Sequence, residues 1–125
     1  MSSTTPPQIQ WLSQVEEHDY PAAASYLRLH YPPRQADAFV AELRGSPLVT
    51  FKAKDLFRAS GLSLLGVSNS HVLRDQKKIA TGRPLSPLLL VRHEGTARVI
   101  IADGYHRLCA VYRTDEDAVI PCQIV

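Results

Sequence analysis

The hydrophobic positions of residues 8–44 recur with helical spacing and predict three helices. The apolar residues of the first helix are Trp11, Leu12 and Val15. Pro21 opens the second pattern, since proline is well tolerated in the first turn of a helix. The third helix is predicted over residues 35–43 and ends before Gly45.

From residue 47 onward, patterns typical of strands and helices alternate. The predicted strands are residues 48–56, 87–91, 98–102 and 119–125. Residues 87–91 are almost continuously apolar, as in a strand covered on both faces, and they should form a hairpin with residues 98–102. Pro121 indicates that the last strand lies at a sheet edge or starts irregularly.

Two helices are predicted between these strands. Residues 71–80 form the first, with Ser68, Asn69 and Ser70 as candidate caps and Gly82 near its end. The second starts at Asp103 and carries the apolar residues Leu108, Val111 and Tyr112. Residues 61–66 are predicted to be a loop, and residues 114–117 an acidic loop.

The order of these elements predicts an α/β (α+β) fold, a small mixed sheet with packed helices preceded by an N-terminal helical segment. The segment covers residues 1–46, of which 1–7 are expected to be disordered, and the sheet domain covers residues 47–125. A chain of 125 residues can bury most of its apolar surface without a metal or a disulfide. We therefore expect one compact unit.

Composition and charge narrow the functional classes. The net charge is only +2 and the Lys and Arg residues form no run, so DNA is a weakly supported partner. Cys109 and Cys122 have apolar neighbours and are expected to be buried thiols, with a disulfide between them left open. The longest apolar stretch is too short to span a membrane, and no signal peptide is visible, so a cytoplasmic protein is expected.

The densest group of polar residues lies in the turn from Asp103 to Arg107, between a buried strand and a helix. A helix start offers backbone N–H groups and partial positive charge to an anion. Gly104 allows close approach, Arg107 offers a fork of donors, and His106 can exchange a proton near neutral pH. Asp103 could cap the helix, bind a divalent metal or act as a base. The simpler interpretation is a capped helix with a surface arginine.

Other polar residues are weaker candidates. His71 could face the same cleft from the preceding helix, whereas Lys77 and Lys78 are assigned to a solvated face. Lys54 and Asp55 could approach a ligand, although surface placement is the default. The turn at residues 93–94 is expected to be exposed. The carboxylates of residues 115–117 could bind a cation weakly, and no zinc or haem is expected.

The run from Ile100 to Arg107, followed by an apolar helix and a strand, resembles the ParB/sulfiredoxin superfamily. The helix from His71, the short Gly-Arg-Pro link and the strand at residues 87–91 are similar to the same region of ParB N-terminal domains. The resemblance covers residues 47–125 and leaves the helical segment unexplained. Tyr105 stands where sulfiredoxins carry their catalytic Cys, so sulfinic-acid reduction is not expected.

The resemblance implies a fold of this type that binds nucleotide phosphates at Gly104, Tyr105, His106 and Arg107, and His71 is added to this site as the residue that could face the same cleft. It implies ATP, ADP or CTP with Mg²⁺ as ligands, with Asp103 and His106 as catalytic residues and Asp103 as a possible Mg²⁺ ligand. Two functions stay open: a phosphoryl-transfer or nucleotide-hydrolysing enzyme, and a non-catalytic module that binds a phosphate, nucleic acid or a protein. A DNA nuclease is the weaker third interpretation. The partner would be a nucleotide or a phosphorylated small molecule, and a homodimer is possible.

Overall fold

A computed structural model describes residues 8–64 and 69–125 of the chain, and these ranges contain five helices and four strands. The helices are α1 (Asp19–Leu27), α2 (Pro33–Arg44), α3 (Ala53–Ser60), α4 (Ser70–Ala80) and α5 (Tyr105–Thr114). The strands are β1 (Val49–Lys52), β2 (Leu88–His93), β3 (Arg98–Asp103) and β4 (Val119–Ile124).

The four strands form one mixed sheet in the order β1-β4-β2-β3. β2 and β3 pair antiparallel and confirm the predicted hairpin. β4 pairs antiparallel with β1 and parallel with β2. The predicted α+β fold, with two helices preceding the sheet, is therefore confirmed.

The buried strand β2 divides the core between the two faces of the sheet. Leu88 and Leu90 belong to a cluster formed with side chains of α3, α4 and α5, whereas Leu89 and Val91 pack against α1 and α2. Side chains alternate between the faces of a strand, so this continuous apolar run is buried on both sides. The boundary predicted between residues 46 and 47 falls between α2 and β1 and stays a prediction.

The helix predicted at Trp11, Leu12 and Val15 is wrong. Trp11 forms a parallel bridge with Leu85, and the Leu12 amide donates to the Leu85 carbonyl at 2.8 Å. The Leu85 amide in turn donates to the Gln10 carbonyl at 2.9 Å. Pairing with a distant part of the chain thus satisfies the backbone of this segment and overrides its local helical spacing.

Two further boundaries differ from the sequence expectation. The strand predicted over residues 48–56 ends at Lys52, and α3 begins at Ala53, because Ala53, Leu56 and Ser60 form a buried stripe at helical spacing. The edge position predicted for the last strand is wrong, since β4 lies between β1 and β2. β4 pairs with β2 only from Cys122 onward, so Pro121, which has no N–H, precedes that ladder.

The start of α4 is capped as expected. The Oδ1 atom of Asn69 accepts hydrogen bonds from the amides of His71 at 2.9 Å and Val72 at 3.3 Å. Gly82 follows the C-cap residue with φ of +72°, a conformation that favours glycine. The cap predicted at Ser68, the end of the loop predicted at Gly66, and the disorder predicted for residues 1–7 lie outside the described residues.

Cys109 and Cys122 are both buried, and no disulfide joins them. Burial raises the pKa of the Cys122 thiol to about 12, which keeps it protonated and unreactive at neutral pH. Within the described ranges, no helix is both long and apolar enough to cross a membrane.

Candidate functional site

Gly104 makes the turn that joins β3 to α5. Its φ is +106°, and a Cβ atom at this position would lie 2.7 Å from Cγ of Leu88, so the turn requires glycine. Gly104 is also the N-cap residue of α5, so the N-cap position supplies no side chain to cap this helix. The prediction that Asp103 starts or caps the helix is wrong, because Asp103 is the last residue of β3 and its carboxylate contacts Arg107.

Arg107 is bound by two carboxylates of the chain itself. Its Nη1 atom donates to Oδ2 of Asp19 at 3.0 Å, and its Nη2 atom donates to Oδ2 of Asp103 at 2.7 Å. The exposed fractions of the three side chains are 13% for Arg107, 6% for Asp19 and 21% for Asp103. The fork of donors expected to face an anion therefore already holds two internal anions in a mostly buried place.

This ion-pair group forms one wall of a polar cavity of about 190 Å³. The cavity lies between the start of α5, the side of α4 and the segment that leads into α1. Its cationic residues are Arg74, Lys78 and Arg107, and its acidic residues are Glu16, Asp19, Asp75 and Asp103. His18, Leu85, Ser86, Gly104 and His106 complete the lining. The predicted turn thus lies in a cleft where several charged groups converge.

The carboxyl group of Asp103 titrates close to neutral pH. Burial and, to a smaller extent, the neighbouring charge of Asp19 together raise the pKa of Asp103 to about 6, against the opposing effect of the Arg107 guanidinium. A carboxyl group with this pKa can hold or release a proton near physiological pH. Asp103 therefore has the proton affinity expected of an acid–base residue.

His106 lines the same cavity, and its ring centroid lies 4.8 Å from that of His71. Burial lowers the pKa of His106 below its usual value, the nearby ring of His71 lowers it further, and the carboxylate of Asp75 opposes both. His106 is therefore neutral at pH 7 and can accept a proton. His71 is exposed and contacts the Nη2 atom of Arg74 through its Nδ1 atom, 3.2 Å away. His71 is not among the described residues that line the cavity, but its ring lies against that of His106, which does line it.

Helix α4 supplies charged residues that sequence patterns miss or place on the surface. Lys78 is half-buried and lines the cavity, whereas its neighbour Lys77 is exposed. Asp75 is 5% exposed, and burial raises its pKa while the charge of Arg107 opposes that rise. Successive turns of α4 therefore direct charge toward the site.

A pattern in the sequence could have identified the two buried carboxylates. Asp75 shares the apolar stripe of α4 with Val72 and Ile79, at helical spacing. Asp19 stands in the same relation to Ala23 and Leu27 in α1. A carboxylate on an apolar face needs a cationic or hydrogen-bonding partner. Arg107 is that partner for Asp19 through a hydrogen bond and for Asp75 through its charge.

Tyr105 faces a different side of the turn. It lines a second cavity of about 280 Å³, with Tyr26 and Leu62 among the other lining residues, and it is absent from the described lining of the polar cavity. Burial and the Cys109 thiol raise the pKa of Tyr105 to about 12, so its hydroxyl stays protonated. Asp103, Gly104 and His106 line both cavities, so the turn separates them.

The remaining candidates form local contacts. Lys54 pairs with Asp117 at 2.6 Å and Arg58 with Asp55 at 3.1 Å, in partly exposed pairs that confirm their surface placement. The residues that the structure describes contain no group of three or more His, Cys, Asp or Glu that could hold a metal ion.

The side chain of His93 is less exposed than the sequence predicts. Its side chain is half-buried, because its Nδ1 atom lies 2.9 Å from Oγ1 of Thr96 and its ring lies 6.0 Å from the ring of Tyr31.

Comparison with known proteins assigns no family to the chain. No family model, no curated protein and no solved structure matches it. The site must therefore be interpreted from its own geometry.

Proposed function

We propose that the chain binds the phosphate of a nucleotide or of a phosphorylated small molecule in the polar cavity, and that it catalyses phosphoryl transfer or nucleotide hydrolysis there. The observation that supports this most is the meeting of three features in one cleft. These are the start of α5 without a side-chain cap among the described residues, the cations of α4, and a carboxyl group whose pKa is about 6.

The binding step follows from the walls of the cavity. A phosphate at the start of α5 would receive backbone N–H groups and the positive end of the helix dipole. Arg74 and Lys78 approach from α4 and would neutralise its charge. Gly104 lines the cavity and contributes only backbone atoms to it.

The two cavities beside the turn together favour a ligand with more than a phosphate. At about 190 Å³ the polar cavity is smaller than the sites that enclose whole cofactors. The second cavity, lined in part by Tyr26, Leu62 and Tyr105, offers an apolar wall on the other side of the turn. A flat apolar group such as a nucleobase would fit that wall while the phosphate occupies the polar side.

Asp103 and His106 would carry the proton chemistry. Asp103 exchanges a proton near pH 6 and lines the cavity, so it can donate a proton to a leaving group or take one from an attacking hydroxyl or water. His106 is neutral at pH 7 and can accept or relay that proton. Positioning and charge neutralisation carry most phosphoryl-transfer chemistry, so Arg74, Lys78 and Arg107 would contribute by holding the phosphate.

The described residues provide no preformed magnesium site. Oδ2 of Asp103 already accepts from Arg107, and this part of the chain contains no metal-holding group. Mg²⁺ commonly binds phosphates and water with only one or two carboxylates, so it would enter with a nucleotide.

Non-catalytic phosphate binding is the second candidate function. The contacts of Arg107 with Asp19 and Asp103 would stabilise the fold even without chemistry, and this observation favours it. The two functions differ in turnover. Release of inorganic phosphate from ATP or CTP above the blank supports the enzyme, while binding with no release supports the module.

Calorimetric titration of ATP, ADP and CTP, with and without Mg²⁺, tests the binding itself. We expect saturable binding that weakens at least tenfold in Arg74→Ala. Arg58→Ala removes an arginine from a surface ion pair and should leave binding unchanged. Absence of binding for every nucleotide, or equal weakening in both variants, would contradict the proposed function.

A further inference from the structure

One guanidinium serves two carboxylates at this site. Asp19 and Asp103 each accept a hydrogen bond from a different nitrogen of Arg107, at 3.0 and 2.7 Å. If both carboxylates were ionised, this mostly buried group would carry one uncompensated negative charge. Burying such a charge is unfavourable, and two like charges close together disfavour double ionisation.

The charged neighbours do not remove this imbalance. Glu16, in the segment before α1, and Asp75 on α4 are acidic, and Arg74 and Lys78 on α4 are basic, so these two acids and two bases offset one another. His106 on α5 favours its neutral form because its pKa is lowered. His18 contacts the other oxygen of Asp19, with Nε2 to Oδ1 at 3.2 Å, but its side chain is 75% exposed to water.

We propose that Asp19 and Asp103 act as one carboxyl pair that shares a single proton across Arg107, and that an anion entering the cavity binds together with that proton. The proton comes from solvent and resides on the pair, which reduces its charge from two negative to one and matches the single charge of Arg107. The raised pKa of Asp103, to which both the charge and a hydrogen bond of Asp19 contribute, supports the pairing. Proton sharing stands on the geometry, and the coupling to an anion rests on the proposed function.

This pairing assigns a role to the N-terminal helical segment. Asp19 lies in α1, so this segment contributes a polar residue to the site as well as apolar residues to the core. Asp19 is then part of the acid–base group of the cavity, and Asp103 does not titrate alone.

Carboxyl ¹³C NMR of protein labelled at aspartate tests the shared proton directly. We expect one resonance that titrates near pH 6 and disappears in Asp103→Asn. Asp19→Asn keeps an oxygen that accepts from Arg107 but removes the second charge, so the midpoint should fall, while burial keeps it above the usual value of about 4. Asp37→Asn removes a carboxylate from a surface pair with Arg28 and should not move the midpoint. An unchanged midpoint in folded Asp19→Asn would overturn the pairing.

The coupling to anion binding is tested with sulfate, which keeps its double charge between pH 5 and 8. We expect the wild-type protein to bind sulfate at least tenfold more tightly at pH 5 than at pH 8, and Asp19→Asn to lose most of this dependence. At pH 7, where the free pair has lost most of its shared proton, calorimetry of the wild type in two buffers of different ionisation enthalpy should show uptake of up to about one proton per sulfate. This measurement needs no variant to fold.

These experiments can reject the shared proton and the phosphate site independently of each other. If no sulfate or nucleotide binds while Asp19→Asn shifts the carboxyl titration, the proposed function is wrong and the shared proton stands. If sulfate binds with no proton uptake, the coupling is wrong and phosphate binding stands.

Discussion

Arg107 on α5 and Asp19 on α1 are joined by a hydrogen bond of 3.0 Å, although 88 positions separate them in the chain. This contact places the N-terminal helical segment against the start of α5. Arg107 also donates a hydrogen bond to Asp103, the last residue of β3. The same guanidinium therefore links the start of α1 to the turn between β3 and α5. The site is thus a product of the tertiary fold and not of the turn alone.

The turn at Gly104 should tolerate no side chain. Gly104→Ala adds a Cβ atom 2.7 Å from Leu88 and 3.0 Å from Nη2 of Arg107, in a backbone of positive φ. We expect the free energy of unfolding in urea to fall by about 2–5 kcal/mol, from backbone strain and overpacking together. Gly82→Ala is the matched control, since Gly82 has a φ of +72° but no atom within 4 Å of the added Cβ. It should lose about 1 kcal/mol, and an equal loss in both variants would contradict the steric account.

Asp103 should make the stability of the protein depend on pH. Its pKa is raised from 3.8 to about 6 in the folded state, so the folded state binds the proton more tightly than the unfolded state. This contribution is fully present below about pH 4 and is lost as the pH rises through about 6, to a total of about 3 kcal/mol at most. His106, with its lowered pKa, acts in the opposite direction. The difference between the unfolding curves of the wild type and Asp103→Asn isolates the effect, and a difference that does not change from pH 4 to pH 7 would contradict it.

Two adjacent lysines should differ in their effect on ligand binding. Lys78 lines the polar cavity, whereas Lys77 is exposed on the same helix. We expect Lys78→Ala to weaken binding of inorganic phosphate or ATP about ten- to a hundredfold, a loss typical of one charge-assisted hydrogen bond. Lys77→Ala should change it less than twofold. Equal effects of the two substitutions would indicate a diffuse surface interaction.

The ring of His71 should affect the titration of His106. Burial is the main cause of the lowered pKa of His106, and the ring of His71 adds to it. In a proton NMR titration His106 should therefore have a midpoint below 6.5, and His71→Asn should raise that midpoint without restoring the usual value. His93→Asn, which alters a histidine bonded to Thr96, is the control and should have no effect. A midpoint for His106 above 6.5 would contradict the described environment.

The elements that local patterns determine were predictable. β2 and β3 flank a short turn, and the burial of β2 follows from its apolar run. The helix wrongly predicted at Trp11 shows where local patterns are insufficient, since that segment pairs with Leu85, more than 70 residues later. Spacing alone could not indicate a partner so distant.

The residues of the candidate site also differ in how far the local sequence identifies them. Gly104, His106 and Arg107 were identifiable because they lie within one short turn whose residue types suit an anion. Asp19 and Asp75 each lie in the apolar stripe of a helix, which indicates a buried carboxylate that needs a partner but does not identify that partner. The partner is Arg107, which only the tertiary fold brings close to both carboxylates.

Amide NMR of ¹⁵N-labelled protein with increasing inorganic phosphate tests the central claim that the cavity at the start of α5 is a phosphate site. We predict saturable shifts concentrated at Tyr105, His106 and Arg107, with smaller shifts along the cavity side of α4 around Lys78. Shifts that never saturate, or that are as large around the surface pair of Lys54 and Asp117 as at the turn, would contradict it.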